Sequence, residues 1–300
     1  MYKKKVYLLG SGDAEREYIR RLLQEAKCIY HYTTIDGFVM VTSSKAYRAA
    51  ETANRDQVWI ECAPANGGKT SIRKEGADLI DHHHPNDPGY GKSPDQFLEA
   101  SSIGQLIAYL ISNGWEPSWE KVRTGWQSGY VFDGKDWWYT YNRTSYKISK
   151  SHKYVAAADH CLLAAYQGRC PGVSIKALME WRETKRSTYQ KISVREIRER
   201  IKRAQNEILK ASKVKMGNYE VADLRGKDVP ELPEAAARLG LPVVASVRLP
   251  QSEDLKIVLQ AASADLARYF QNIWSVDNGL TKTYGDPNRG MVGAFLFRRK

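Results

Sequence analysis

The chain has 300 residues, of which 42% are hydrophobic and 27% are charged, a composition typical of a globular protein and unlike a disordered or fibrous one. It carries 46 lysines and arginines against 34 acidic residues, a net charge of +12, and this excess favours polyanionic partners such as nucleic acid or nucleotides. No apolar run approaches the roughly 18–20 residues of a membrane-spanning helix, and the run Val6–Leu9 is shorter than the apolar core of a secretory signal, about 7–15 residues.

Strand-like and helix-like segments alternate through the first hundred residues. Short apolar runs predict strands, and charged segments with apolar residues three and four apart predict helices. The predicted strands are Val6–Leu9, Val58–Ile60, Ala77–Ile80 and the extended segment Cys28–Val41, and the predicted helices are Ala14–Ala26, Lys45–Ala53 and Phe97–Ile111. This alternation is typical of an α/β layer with a largely parallel sheet, in which sites form beyond the carboxyl ends of the strands.

The later chain divides into an insertion, a connector and a second domain. Residues 114–154 are rich in tryptophan and tyrosine and predict an aromatic insertion made of strands or loops, followed by a helix over Val155–Tyr166. An apolar stripe between Val194 and Ala211 predicts a connector helix. From Tyr219 the α/β alternation restarts and ends in a glycine-rich stretch. We therefore expect two lobes: a larger α/β domain over 1–190, a connector helix over 191–218, and a smaller α/β domain over 219–300.

Acidic and imidazole side chains stand at the ends of several predicted elements. Asp81, His82, His83 and His84 directly follow a predicted strand, and neutral imidazoles with carboxylates are common ligands of divalent cations. Three further clusters occupy comparable places, namely Asp13 with Glu15, Glu61 alone, and Asp159 with His160. Each cluster also has a structural explanation: a solvated histidine-rich loop, a helix N-cap at Asp13, a turn at Glu61, or a core pair of Asp159 with His160. Taken together, the four clusters predict a two-metal site.

The same motifs resemble those of the DHH phosphoesterases, which include RecJ-type exonucleases and oligonucleotide and cyclic-dinucleotide phosphodiesterases. Asp81, His82 and His83 match the motif that names the family, and the segment with Asp13 and Glu15 is similar to its first motif. Glu61 and Asp159 resemble its two single acids, Glu99–Gly104 resembles a small-residue stretch that opens a helix, and Gly285–Gly293 resembles the substrate loop of the accessory DHHA1 domain. The resemblance covers most of the chain outside residues 114–154.

The resemblance implies a role for each matched residue. Two divalent ions, typically Mn²⁺ with Mg²⁺ as an alternative, would activate water and neutralise phosphoryl charge. The implied metal ligands are Asp13, Glu15, Glu61, His82, Asp159 and His160. Asp81 would orient a neighbouring imidazole, His83 would donate a proton to the phosphate or leaving oxygen, and His84 is an additional member of the cluster. The implied substrate contacts are Ser101, Ser102, Arg289 and Gly290.

Departures from the family pattern keep a second interpretation open. Ser11 stands where the family has a histidine, Glu15 and Glu61 stand for aspartates, and the accessory loop lacks the usual Gly-Gly-His sequence. His160 or His31 would have to replace the lost imidazole. The expected function is a metal-dependent phosphodiesterase acting on nucleotides or on short, single-stranded nucleic acid. The alternative is a pseudoenzyme of the same fold that binds nucleotides or nucleic acid through a degraded metal site.

Weaker signals indicate less. Asn66–Thr70 contains a Gly-Gly-Lys-Thr sequence but lacks the spacing of a phosphate-binding loop, so a plain turn is expected there. The aromatic segment predicts a small β-rich core, with stacking on single-stranded bases as the alternative. No GxGxxG sequence follows a predicted strand, which disfavours a dehydrogenase. The four cysteines form no CxxC pair, and we expect a cytoplasmic protein with free thiols.

Overall fold

The computed structural model describes residues 4–10, 12–35, 38–39, 46–248 and 255–296. The chain divides into two compact units, Met1–His160 and Cys161–Lys300. In the described part of the chain, no helix combines the length and apolar character that crossing a membrane requires.

The first unit is built on a four-stranded parallel sheet. Its strands, together with a short separate hairpin of β3 and β4, are β1 Val6–Leu9, β2 Ile29–Tyr32, β3 Thr34–Ile35, β4 Phe38–Val39, β5 Gln57–Ile60 and β6 Asp78–Ile80. The strand order is β2-β1-β5-β6, and all three pairings are parallel. The predicted parallel sheet is therefore confirmed. Because the chain runs from β1 to β2 on one side and later returns to β5 on the other, the order reverses between β1 and β5.

Helices cover both faces of this sheet because its strands are apolar on both sides. They are α1 Ala14–Glu25, α2 Gly68–Lys74, α3 Phe97–Ala100, α4 Ser102–Ser112 and α5 Lys150–His160. On one face Leu8 and Trp59 pack with Ile72 of α2. On the other, Tyr7 meets the ring of Tyr109 from α4 edge to face. Strands that are apolar on both faces are expected for a parallel sheet buried between helices.

The prediction of a helix over Lys45–Ala53 is wrong over residues 46–53, which the structure describes. Residues 46–53 are not helical, and Lys45 lies outside the described residues, as does the expected turn at Asp36-Gly37. The backbone of this segment is used in pairing with other parts of the chain. Ala49 donates to the carbonyl of Ala63, and Ala63 donates to the carbonyl of Ala46. These long-range bonds replace the local ones that a helix would need.

The aromatic segment forms the expected β-rich insertion. Its strands are β7 Lys121–Arg123, β8 Gly129–Phe132, β9 Trp137–Tyr141 and β10 Thr144–Lys147, and they make an antiparallel sheet in the order β7-β10-β9-β8. Trp137, Trp138, Tyr139 and Tyr146 are buried. The Tyr130 hydroxyl donates to the carbonyl of Gly104 in α4. The aromatic residues thus serve mainly as a core, which favours the structural interpretation over base stacking.

The second unit has a six-stranded mixed sheet with helices on both faces. Its helices are α6 Leu162–Tyr166, α7 Ile175–Gln190, α8 Val194–Lys210, α9 Leu232–Leu239, α10 Ala264–Tyr269 and α11 Ser275–Asp277. Its strands are β11 Lys213–Met216, β12 Tyr219–Leu224, β13 Val243–Arg248, β14 Leu255–Gln260, β15 Thr281–Tyr284 and β16 Met291–Leu296. The order is β11-β12-β13-β14-β16-β15. Only β12 and β13 pair in parallel.

Two boundaries differ from the sequence expectation. The helix predicted over Val155–Tyr166 is divided at Cys161 into α5 and α6, so Asp159 and His160 end a helix instead of lying near the start of one. The division between the two units falls after His160, whereas a boundary near 190 was expected. Helix α7 belongs to the second unit because Arg182 pairs with Glu234 of α9 at 2.5 Å. The glycine-rich stretch becomes the connection between β15 and β16.

Candidate metal centre

The carboxyl ends of β1, β5 and β6 bring three of the predicted clusters to one edge of the sheet. Leu9 pairs with Ile60 and Ile60 with Ile80, so Asp13, Glu61 and Asp81 all follow strands that end at the same level. The ladder continues one step beyond the strands, because Gly10 donates to the Ile60 carbonyl and Glu61 donates to the Ile80 carbonyl. The edge coincides with the reversal of strand order between β1 and β5, where ligand sites of parallel sheets occur.

The backbone at Glu61 has an unusual conformation and is closely approached by Gly10. Glu61 has φ of 53°, a left-handed conformation that a residue with a Cβ seldom adopts and that is found at functional sites. Gly10 passes so close that a Cβ placed on it would lie 2.2 Å from the Glu61 carbonyl oxygen. Only glycine fits there without displacing Glu61.

Four predicted ligands come together in the first unit. Glu15 of α1, Glu61, His82 and Asp159 of α5 each offer a ligand atom, and these atoms all lie within 4.8 Å of one another. The Nε2 atom of His82 is 3.0 Å from Asp159 Oδ2 and 3.9 Å from Glu61 Oε1. Three carboxylates and one imidazole form a donor set suited to Mn²⁺, Mg²⁺ or Zn²⁺.

The hydrogen bonding of the Glu15 and Glu61 carboxylate oxygens indicates whether a cation fits among these residues. Glu15 Oε1 accepts a hydrogen bond of 2.9 Å from the backbone N–H of Ile103 at the start of α4. Glu15 Oε2 and Glu61 Oε1 are buried and have no hydrogen-bond partner among the described residues. Buried carboxylate oxygens without partners are costly and call for a compensating charge. A divalent cation supplies that charge, so the residues present fit a metal.

The electrostatics of the group agree with this conclusion. Burial, reinforced by the negative charges of Asp159 and Glu61, raises the pKa of Glu15 well above its usual value. Burial, followed by the charge of Asp13, raises the pKa of Glu61 to about 8. These carboxyl groups resist ionisation when only other acids surround them. A cation placed among them would reverse that preference.

A second group shares two members with the first. Glu61, His82 and His83 also offer ligand atoms within 4.8 Å of one another. The His83 Nδ1 atom is 2.8 Å from Asp81 Oδ1, so the carboxylate of Asp81 fixes one of the two ring nitrogens of His83. His83 is half-buried and reaches solvent more than its neighbour His82 does.

Asp81 is engaged by donors on both oxygens. Oδ1 accepts from the backbone N–H groups of His82 and His83 and contacts the His83 ring. Oδ2 accepts from the Tyr47 hydroxyl at 2.9 Å and is 2.7 Å from Lys69 Nζ. Although burial opposes ionisation, the His83 hydrogen bond and the charges of His83 and Lys69 hold the pKa of Asp81 well below its usual value. This geometry suits the orienting role expected of Asp81.

Lys69, Tyr47 and Asp87 are site residues that the sequence analysis missed. Lys69 Nζ lies 2.6 Å from Asp87 Oδ2 and 2.9 Å from His84 Nδ1, in addition to its contact with Asp81. Lys69 stands in the Gly-Gly-Lys-Thr sequence that was interpreted as a plain turn, whereas the structure begins α2 at Gly68. The position of this segment after β5 was the available signal, because the other site segments also follow strands.

Other predicted ligands lie near the group without belonging to it. Asp13 caps α1 through Oδ1, which accepts from the Arg16 N–H at 2.8 Å, and its charge still acts on Glu15 and Glu61. His160 is buried with its ring centroid 5.6 Å from that of His82. Its Nε2 is 3.3 Å from the Lys92 carbonyl. His31 is exposed on β2, and Ser11 lies outside the described residues.

The predicted substrate contacts occupy two different units. In the first, Ser101 and Ser102 are buried, and the Ser101 hydroxyl caps α4 by accepting from the Gly104 N–H. This geometry lends no support to direct substrate contact by Ser101. In the second, Arg289 is half-buried in the turn Pro287–Arg289. Gly290 follows with φ of 73°, where a Cβ would lie 3.0 Å from the Ala262 carbonyl oxygen.

Comparison of the chain with protein-family models, with curated proteins and with solved structures finds no match.

Proposed function

We propose that this chain is a metal-dependent phosphoesterase that acts on nucleotides or on short, single-stranded nucleic acid. The observation that carries the proposal is the convergence of Glu15, Glu61, His82 and Asp159, with two buried carboxylate oxygens that have no hydrogen-bond partner among the described residues. The DHH-like order of the motifs supports phosphoester hydrolysis as the reaction. The net charge of +12 supports a polyanionic substrate.

Glu15, Glu61, His82 and Asp159 would hold the metal, with Mn²⁺ as the proposed ion. A bound divalent ion lowers the pKa of a coordinated water and neutralises charge on phosphoryl oxygens. Glu61 belongs to both ligand groups, and its two carboxylate oxygens would allow it to contact two ions. His83 is proposed to donate a proton from Nε2 to the leaving oxygen in its imidazolium form, which Asp81 would stabilise through Nδ1. The ring would then be left as the neutral tautomer with its proton on Nδ1.

The second unit is proposed to bind substrate as an accessory DHHA1-like domain. Arg289 would contact a phosphate, because its planar guanidinium matches phosphate geometry. Gly290 would allow backbone amide groups close to the ligand. The sequence around Arg289 and its half-buried position motivate this part of the proposal. A two-lobed arrangement of the units belongs to the same proposal.

A substrate panel with matched histidine variants tests the proposal. The panel contains linear dinucleotides, cyclic dinucleotides, single-stranded DNA, RNA and pyrophosphate, each incubated with Mn²⁺ and separately with EDTA. We expect Mn²⁺-dependent hydrolysis of at least one nucleotide substrate that His82→Ala abolishes. His31→Ala is the control, because it removes an exposed imidazole from the same sheet and should retain activity.

Two outcomes would contradict the proposal. Equal hydrolysis by wild type and His82→Ala would show that the activity does not depend on this centre. Mn²⁺ binding without hydrolysis of any substrate in the panel would contradict the enzymatic assignment and favour the binding pseudoenzyme.

A further inference from the structure

We propose that Lys69 is a positioning residue whose ammonium group is the resident cation of the Asp81–His84–Asp87 cluster and, through Asp81, holds the His83 imidazole in place. The inference deepens the proposed function and rests on it for the part that concerns catalysis. It also makes a claim about metal occupancy, namely that this third cluster of ligand atoms does not take a metal ion while Lys69 is present.

The contacts of Lys69 match the hydrogen-bonding capacity of an ammonium group. Its Nζ atom has acceptors at 2.7 Å in Asp81, 2.6 Å in Asp87 and 2.9 Å in His84, and an ammonium group has three N–H donors. The group also lies 4.6 Å from the centroid of the Tyr47 ring, a distance favourable for a cation–π contact. Each donor thus has an acceptor, and an aromatic face covers the charge.

The cluster needs a cation because its acids are fully withdrawn from water. The side chains of Asp81 and Asp87 have 0% exposure, and Lys69 itself has 15%. Two buried carboxylates close together are strongly unfavourable unless an opposite charge compensates them. Asp81, His84 and Asp87 have ligand atoms within 4.8 Å of one another, but the ammonium already occupies the place that a metal would need.

The link from Lys69 to the metal centre runs through the two oxygens of Asp81. Lys69 and Tyr47 engage Oδ2, while the backbone N–H groups of His82 and His83 and the His83 ring engage Oδ1. With both oxygens fixed, Asp81 cannot rotate away from the imidazole. A charged acceptor at Nδ1 keeps a proton on that nitrogen in both the imidazolium and the neutral ring, so that proton transfer would take place at Nε2.

The test compares Lys69→Met, which keeps the length of the side chain but removes its charge, with Lys69→Arg and with Tyr47→Phe. Lys74→Met is the matched control, because Lys74 is an exposed residue of the same helix. Two kinds of measurement are made at fixed pH. Steady-state kinetics give kcat and KM with the substrate found in the panel. Ring ¹⁵N chemical shifts give the His83 tautomer, and His83→Asn assigns the signals.

We expect wild type to show His83 with its proton on Nδ1, and Lys69→Met to lose this signature. In Lys69→Met, kcat should fall about 10- to 100-fold, the range for loss of an outer-shell partner, while KM changes less than about twofold. Lys69→Arg should restore part of kcat. Tyr47→Phe should lower kcat and weaken the tautomer signature by smaller amounts than Lys69→Met does. If circular dichroism shows that Lys69→Met is unfolded, Tyr47→Phe replaces it as the test variant.

An unchanged tautomer and kcat in folded Lys69→Met would overturn the inference, as would an unchanged tautomer in Tyr47→Phe if Lys69→Met does not fold. Absence of hydrolysis by wild type would contradict the proposed function instead. In that case the tautomer measurement would still decide whether Lys69 positions His83.

Discussion

Asp159 Oδ2 lies 3.0 Å from His82 Nε2, although Asp159 lies in the last turn of helix α5 and His82 follows strand β6. This contact joins the last helix of the first unit to the carboxyl edge of its sheet. It places an acid beside an imidazole that already borders Glu61. The candidate metal centre therefore consists of residues from several elements that the fold brings to one place.

Removal of Asp159 should weaken metal binding without unfolding the chain. Asp159→Asn keeps the size of the side chain but removes its charge, and we expect Mn²⁺ affinity to fall by at least about tenfold, the loss that even an outer partner causes. Isothermal titration calorimetry measures the affinity. Asp95→Asn, an exposed acid outside the ligand groups, should bind Mn²⁺ as wild type does, and equal affinities for both variants would exclude Asp159 as a ligand.

Metal affinity should rise with pH. The pKa of Glu61 is raised to about 8, so this carboxyl group is mostly protonated at neutral pH in the metal-free protein. Burial and neighbouring acids also raise the pKa of Glu15 well above its usual value. Bound metal requires their ionised forms, and binding must therefore release protons. We expect Mn²⁺ affinity to increase from pH 6 to about pH 8 and then to level off.

Calorimetry in buffers of different ionisation enthalpy measures that proton release directly. Glu61→Gln should bind Mn²⁺ more weakly and release fewer protons than wild type. Proton release identical in wild type and Glu61→Gln would show that Glu61 is already ionised, contrary to the raised pKa.

Gly10→Ala should displace the backbone of Glu61 and so disturb the candidate metal centre. The new methyl group would lie 2.2 Å from the Glu61 carbonyl oxygen and 2.9 Å from Cys62 Cβ. Overpacking of this kind costs about 1–3 kcal/mol of stability, and the displacement of Glu61 should also lower Mn²⁺ affinity. Gly125→Ala is the control, since a Cβ there meets no atom within 4 Å. Thermal denaturation and metal titration of the two variants should differ, and matching values would mean that Gly10 has room for a side chain.

Glu234 should be essential to the second unit. It is buried and bonded to Tyr166, Arg182 and Arg238, and although burial opposes ionisation, the charge of Arg182 holds its pKa below the usual value. Glu234→Ala leaves buried arginine charge uncompensated, a change that costs about 3–5 kcal/mol. Because the folded pKa is lowered, this stabilisation is present above the unfolded pKa and is lost as pH falls through the folded pKa.

Hydrogen exchange checks the location of this effect. Amides of α7 and α9 should exchange faster in Glu234→Ala, whereas those of β1 and β5 should not change. Faster exchange confined to the first unit would contradict the placement of α7 with α9.

Local sequence patterns were sufficient to predict the strands and helices that are determined by their own residues. Val6–Leu9 was predicted as a strand and is one, with Tyr7, Leu8 and Leu9 buried on the two faces of the sheet. The apolar stripe of α8 was visible because Ile197, Ile201, Ala204 and Ile208 recur on one face and are buried. The expectation that sites form beyond the carboxyl ends of parallel strands correctly placed Glu61 near His82, because β5 and β6 are parallel neighbours whose ends are aligned.

Long-range pairing decided what the local pattern could not. Residues 46–53 have helical periodicity, but their backbone bonds to Ala63 and Thr34 instead. The end of α5 at His160 was not visible, because residues on both sides of Cys161 are equally suited to a helix. Lys69 was missed because its partners Asp81, His84 and Asp87 are distant in sequence. No motif spacing encodes that contact.

The most direct test of the metal centre is anomalous diffraction at the manganese edge from crystals grown with Mn²⁺. We predict an anomalous peak among Glu15, Glu61, His82 and Asp159, and none within the Asp81–His84–Asp87 cluster that Lys69 occupies. A peak only in that cluster, or no peak beside Glu61 and His82 at saturating Mn²⁺, would contradict the assignment of these four residues as metal ligands.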